Sequence, residues 1–361
     1  MNSRRLNEYT STPPPMHFSS MTWEPFSEAP PDIYTSPAPA PTPRPAFSGY
    51  GIEIEYMIVK DGTLDVLPLA DALLQGADGS HTGDIQRGEM GWSNEPARHV
   101  VEIKNLRPHP TLKALSRAFQ WEVRAINARL AASGARLMSG GMHPWMDPRE
   151  ETRFWPHEPA AGLYQTYHRI FDCRRHGWAN VQSMHLNLPF ANDAEFARLH
   201  AAIRLVLPIL PALAASSPYA DGVATGFMDY RLECYRTHQE IVPSSQGQLI
   251  PDESPSRIAY EAEVLAPMYR EVAEHDPEGL LRHEWLNARA AIPRFDRNAI
   301  EIRILDTQEC PMADIAIAAV TTALIERVYR SEHFEPGLFD TASLVRILQA
   351  CIADAEQALV G

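Results

Sequence analysis

An α+β fold, with helices covering one face of a sheet and leaving the other face polar, is predicted by two patterns. Four segments alternate strictly between apolar and polar residues, the period of a half-buried strand. Longer segments carry apolar residues at steps of three and four, the period of an amphipathic helix. The 361 residues, 45% hydrophobic and 22% charged, suffice for a well-buried core with a composition ordinary for soluble proteins.

Residues 1–47 hold eleven of the 31 prolines, including PAPAPTPRP. Proline removes backbone donors and favours extended polyproline conformations. This stretch is expected to be a disordered arm, and the folded domain to run from 48 to 361.

The first strand is GIEIEYMI, residues 51–58. Ile52, Ile54, Tyr56 and Ile58 share one face; Glu53, Glu55 and Met57 share the other. Two carboxylates one repeat apart repel unless a cation or water lies between them. Asp61-Gly62 fits a hairpin turn, and 67–75 a short helix. Residues 81–93, polar and rich in glycine, read as a loop. A second alternating strand, VVEIKN, follows Glu95 and Pro96 and ends before Pro108; Glu102 and Lys104 lie on its charged face. Leu112, Leu115, Phe119, Val123, Ile126 and Leu130 predict a helix over 111–132, stopped by Gly134.

The loop GGMHPWMD follows, in which His143 fits the start of a turn. Residues 155–180 read as loop with a short helix near 164–174, and Arg174, Arg175 and His176 as a solvated part of it. VQSMHLNLPF, residues 181–190, alternates again and puts His185 and Asn187 on one face. A helix over 193–214 is interrupted near Pro208 and Pro211. LAASSPYADG, residues 213–222, is turn-rich, and a basic, aromatic patch covers 229–238. Residues 257–275 look helical. The strand NAIEIRILD, 298–306, pairs an apolar face of Ile300, Ile302 and Ile304 with a polar one of Glu301 and Arg303. Helices near 312–332 and 341–359 close the chain.

A net charge of −14 argues against nucleic-acid or anionic-membrane surfaces. No apolar run is long enough to span a bilayer, and no apolar core follows Arg4 and Arg5 as a secretory signal requires. The four cysteines are scattered, without CxxC spacing, as expected of reduced thiols in a cytoplasm.

Four strands of one design imply a concave sheet lined by carboxylates, a histidine and an arginine. Hard oxygen donors with one imidazole suit Mg²⁺ or Mn²⁺. Such ions facing an arginine suit a triphosphate and a transferring phosphoryl group. There is no GxxxxGK[ST] loop, so a nucleotide would not be held in the P-loop manner.

In their order and spacing these motifs resemble the glutamate–cysteine ligases and related carboxylate–amine ligases of the glutamine-synthetase fold. The motifs are GIEIEY, Glu95 with Glu102 and Lys104, HPW at 143–145, MHLN, SSPYADG and IEIRILD. The resemblance implies a curved, mainly antiparallel sheet forming a funnel, and a reaction in which ATP activates a carboxylate as an acyl phosphate that an amine then attacks. It implies that Glu55, Glu95 and Glu102 hold one divalent ion, and Glu53, His185 and Glu301 a second, with Glu53 and Glu301 serving catalysis. Arg303 would contact the transferring phosphoryl group, Lys104 and Arg231 the nucleotide, and Asn187 the substrate, Arg231 being a second substrate contact. The substrates would be small molecules, a carboxylate donor and an amine acceptor. Two other readings stay open: a metal-dependent hydrolase or phosphagen-type kinase on the same sheet, and a non-catalytic relative that binds an amino acid.

Overall fold

The computed structural model describes residues 43–359 apart from Ala77 and Leu338. The expected arm therefore lies outside the described residues as far as Thr42. Beyond it the chain already touches the body: the Ala46 amide donates to Glu195 Oε2 at 2.9 Å, and Phe47 meets Tyr329 edge-on.

The strands are β1 (Gly51–Lys60), β2 (Asp84–Arg87), β3 (Met90–Asn94), β4 (Val100–Asn105), β5 (Ala135–Met138), β6 (Ser183–Pro189), β7 (Tyr219–Ala220), β8 (Val223–Ala224), β9 (Ala291–Arg294) and β10 (Ala299–Asp306). Eight of them form one open sheet in the order β2-β3-β4-β1-β6-β10-β9, with β5 beside the second half of β1. Every pairing in it is antiparallel. β7 and β8 form a separate hairpin.

The alternation predicted for β1, β4, β6 and β10 is realised. Ile52, Ile54, Ile103, Leu186, Leu188, Ile300 and Ile302 are fully buried on one face. They join the helices Leu112–Leu130, Asp193–Val206 and Pro311–Arg330 in one core through Leu115, Phe119, Leu199, Ile203 and Ile315. Each such side chain contributes roughly 1.5–3 kcal/mol of transfer free energy. This face therefore fixes the register, and the register fixes what lies opposite. The helix from Asp193 breaks into short pieces at Leu207 and Pro211, where the two prolines interrupt its hydrogen bonds.

The stretch read as a glycine-rich loop, 81–93, is instead the β2–β3 hairpin, turning at Gly88 with φ 62°. Its second strand, MGWSN, is buried on both faces at Met90–Ser93, so no polar alternation marks it. β9 contains Pro293 and survives because it is an edge strand, where a ladder donor is dispensable. Among the described residues no helix is long and apolar enough to cross a membrane.

One departure from strict alternation matters. Ile302 faces Leu186 but Leu305 faces Met184, so β10 carries one extra residue there, a β-bulge. Plain alternation would put Asp306 with Ile302 and Ile304. The bulge reverses the parity and turns Asp306 onto the polar side.

Candidate active site

The register assembles the polar face residue by residue. Glu53 lies opposite Lys104 on β4 and His185 on β6; Glu55 lies opposite Glu102; Asn187 lies opposite Gly51 and Glu301. The missing side chain at Gly51 makes room for Asn187, because a Cβ there would sit 3.0 Å from the Asn187 Cβ. Glu53, Glu102 and His185 each offer a ligand atom within 4.8 Å of the others. This donor group draws members from both ion sets that the resemblance implied.

The remaining groups close around it. His185 Nδ1 lies 3.3 Å from Glu53 Oε2 and 3.9 Å from Glu301 Oε1, while its Nε2 lies 2.9 Å from Ser183 Oγ. Glu55 Oε2 accepts from the Ser183 amide (2.8 Å) and hydroxyl (3.0 Å). Lys104 Nζ lies 3.1 Å from Glu102 Oε1 and 3.4 Å from Asp84. Arg303 Nε lies 3.1 Å from Glu301 Oε1 without a hydrogen bond of good geometry, and its Nη1 donates to the Asn287 carbonyl. Asn187 is buried, yet among the described residues its Oδ1 has no partner. A buried amide oxygen without a donor carries a desolvation cost that a bound molecule can relieve.

The electrostatics fit a cation site. Burial pushes the Glu53 carboxyl up, but the hydrogen bond with His185 and the charges of His185, Arg297 and Lys104 prevail and hold it at about 2. Burial, then Glu55 and Glu102, drive the Glu95 carboxyl well above the usual range. Glu102 is raised by burial and by Glu53, against the pull of Lys104 and Ser93. Burial alone would lower His185; the Glu53 hydrogen bond and the charges of Glu301 and Glu55 raise it instead. Carboxyls this crowded repel one another unless protons or a cation lie among them, and a divalent ion competes with the protons for that place.

Arg231 is placed differently from the other candidates. It is buried, and its Nε donates to Asp306, the residue the bulge turns inward. Asp306 also accepts from the Ser216 amide at 2.8 Å and the Ser217 hydroxyl at 2.7 Å, tying down the SSPYADG turn. Gly141 of the GGMHPW loop abuts the same carboxylate: a Cβ there would fall 2.4 Å from Asp306 Cγ. Among the described residues the buried Nη2 of Arg231 has no hydrogen-bond partner. His143 starts a turn, as its sequence suggests. Its Nδ1 accepts from the Trp145 and Met146 amides, and its Nε2 lies 2.7 Å from the Leu64 carbonyl.

Sequence reasoning missed three features. Arg294 on β9 lies 2.9 Å from Glu301 Oε2, so two guanidiniums flank that carboxylate. Arg297, in the turn between β9 and β10, reaches Glu53 at 3.4 Å. The signal was the pair of arginines in IPRFDR just before the EIR strand. Tyr167 and Tyr235 come near Arg303, whose charge opposes their burial-raised pKa values. The aromatic side chains at 155–180 and 229–238 thus form a wall beside the polar face.

An open antiparallel sheet with this convergent polar face is the architecture of the glutamine-synthetase-like ligases. The chain belongs to glutamate–cysteine ligase family 2, whose family model matches residues 50–350. It is 33% identical over 282 residues to an uncharacterized protein of Archaeoglobus fulgidus, covering 78% of this chain and 74% of that one. It is 29% identical over 296 residues to a Bradyrhizobium diazoefficiens protein provisionally named glutamate–cysteine ligase 2, covering 79% of this chain and 60% of the other. Two solved structures share the fold. A glutamate–cysteine ligase from Francisella tularensis, in complex with AMP, aligns at TM-score 0.54 and 12% identity over 86% of this chain and 71% of its own. A bifunctional glutathione synthetase from Pasteurella multocida aligns at TM-score 0.51 and 13% identity over 86% of this chain. The match spans 41% of that larger protein.

Proposed function

We propose that this chain is an ATP-dependent carboxylate–amine ligase of the glutamate–cysteine ligase type. The observation that carries this reading is the convergence of Glu53, Glu102 and His185 on one point, beside Glu301 and Arg303. The donor set, oxygens with one imidazole, fits Mg²⁺ or Mn²⁺. Glu55, Glu95 and Glu102 would hold one ion and Glu53, His185 and Glu301 another. Bound there, divalent ions supply charge neutralisation between a carboxylate nucleophile and a triphosphate.

The chain's own groups account for the rest. A carboxylate oxygen attacks the γ-phosphorus of ATP, and ADP leaves. The donor is then an acyl phosphate, and glutamate through its γ-carboxylate is the donor we favour. An amine attacks its carbonyl carbon; the new C–N bond replaces the C–O bond, phosphate leaves and the amine gives up a proton. Arg303 meets the negative charge that spreads over the phosphoryl oxygens in transfer, and Lys104 approaches the nucleotide. Asn187, with its unpartnered amide oxygen, orients the substrate. The AMP in the Francisella structure supports an adenine nucleotide as the second ligand. With four unpaired cysteines, we place the protein in the cytoplasm.

The test is phosphate release from Mg-ATP across a matrix of amino acids and amines, with products weighed by mass spectrometry. The expected result is ATP turnover only when a carboxylate donor and an amine are both present, together with nucleotide binding that collapses when the metal is chelated. Turnover with water or a single substrate would favour the hydrolase or kinase alternative. Nucleotide affinity unchanged by chelation would sink the metal site.

The raised carboxyls give a pH dependence with a definite sign. Glu95 and Glu102 hold protons above the ordinary carboxylate range, and metal must displace them. Affinity for Mn²⁺ is therefore expected to rise with pH through that range and to level off above it, with protons released on binding. Calorimetry in two buffers of different ionisation enthalpy measures the release; no proton release, or affinity flat with pH, contradicts the assignment.

A further inference from the structure

The aromatic wall has a second side. Beyond it lies a cavity of about 380 Å³, whose lining includes Arg149, Arg174, Arg175, His176, Asp221 and His238. Its size is that of a small-molecule site. The elements that build it are held closely together. A Cβ on Gly177 would come 2.9 Å from the Cys234 carbonyl oxygen, so the short helices His176–Ala179 and Tyr230–Tyr235 can meet only because that residue is glycine.

The three guanidiniums here are loosely engaged. Arg149 Nη1 lies 3.8 Å from Asp172 and Arg175 Nη1 lies 3.6 Å from Glu240, both beyond hydrogen-bond distance. Arg174 lies over the Phe154 ring at 5.8 Å and has no carboxylate partner among the described residues. This contrasts with the polar sheet face, where Arg294 and Arg303 each approach Glu301 within 3.1 Å. Two carboxylates line the cavity against these three: Asp147, whose Oδ1 accepts from the Arg149 amide, and Asp221, whose Oδ1 lies 3.2 Å from His176 Nε2. On an acidic protein, a cavity with three such guanidiniums is a local reversal of charge.

We infer that this cavity is a second ligand site, separate from the sheet face, for a small molecule bearing at least two anionic groups, carboxylate or phosphate. Arginine forks recognise both groups bidentately. The site shares a wall with the proposed catalytic face. His238 lines the cavity, stacks on Tyr235 at 4.1 Å and contacts Trp178 at 4.8 Å. Burial lowers its imidazole, the hydrogen bond to the Tyr235 carbonyl opposes this, and the charges of Arg303 and Arg175 add to the lowering, which brings it to about 3.

The experiment needs no turnover, so its outcome is independent of the ligase reading. Citrate and inorganic phosphate are titrated separately into metal-free protein by calorimetry at low salt. At least one is expected to bind saturably; citrate points to a carboxylate ligand and phosphate to a phosphorylated one. The double variant Arg174→Gln/Arg175→Gln should weaken that binding at least about tenfold, the scale of one lost charge-assisted contact. Asp221→Asn should strengthen it, because it removes one of the two carboxylates, Asp147 and Asp221, that line the cavity. Asp221 has φ 51°, a conformation asparagine also accepts, so this variant keeps the test open if the double variant misfolds. No saturable binding of either probe, or binding indifferent to these substitutions, overturns the proposal.

Discussion

Glu53→Gln and Glu301→Gln are each expected to lower ligase turnover at least about a hundredfold, the order seen when one preorganised electrostatic group is lost from a reacting centre. Each change keeps the shape of the side chain and removes a charge from the proposed ion-holding set. Their effects on stability should differ. Glu53 faces His185 and, more loosely, Arg297, whereas Glu301 is 2% exposed and flanked by Arg294 and Arg303. Removing the Glu301 charge takes the buried carboxylate from between two guanidiniums and leaves Arg294 only the more exposed Asp296, so Glu301→Gln should melt at a lower temperature than Glu53→Gln. Single-turnover assays on folded, purified variants, with thermal melts alongside, measure both. Wild-type turnover in either variant would refute its role.

Arg303→Ala should cost still more in the phosphoryl-transfer step, about a thousandfold on the scale of other arginines that meet a transferring phosphoryl group. Arg303→Lys keeps the charge but loses the planar fork, so it should retain part of the rate. Both should affect turnover more than ground-state ATP affinity, because the contact strengthens as the charge spreads. The geometry supports an uncommitted group. The Nε finds no well-aligned acceptor, and Glu301 keeps Arg294 if Arg303 is removed. Melting of Arg303→Ala should therefore fall only modestly. A sharp drop in melting temperature with acyl-phosphate formation at the wild-type rate would make Arg303 a structural residue instead.

The parts of this molecule legible in its sequence are those where one face is wet and the other dry. β1, β4, β6 and β10 each announce themselves by alternation, and antiparallel pairing then brings Glu53, Glu102, His185 and Glu301 together as their shared polar face demanded. β3 was invisible because Met90–Ser93 are buried on both faces, and β9 because Pro293 argues against a strand unless its edge position is known. Arg231 was expected to contact the nucleotide and the substrate. Its buried bond to Asp306 depends on a one-residue bulge that no periodicity encodes. The aromatic wall was legible only as composition, since Trp178 and His238 meet across a tertiary contact between distant segments.

The central place of β1 also governs how the molecule can come into being. Glu53 meets His185 across 132 residues of chain and Arg297 across 244. Pairings that close such long loops form late and slowly, because the entropy of closure precedes any reward. A short metal-binding finger can be organised by its ion; here the donor atoms come together only after the sheet has zipped from β4 through β10. During synthesis β1 leaves the ribosome long before β10, and its unpaired edges must wait without finding another copy of themselves. Glu53 and Glu55 are suited to that interval. Stacked in register on a second chain, four carboxylates would face one another, so the charges proposed here to hold cations also guard the nascent strand against aggregation.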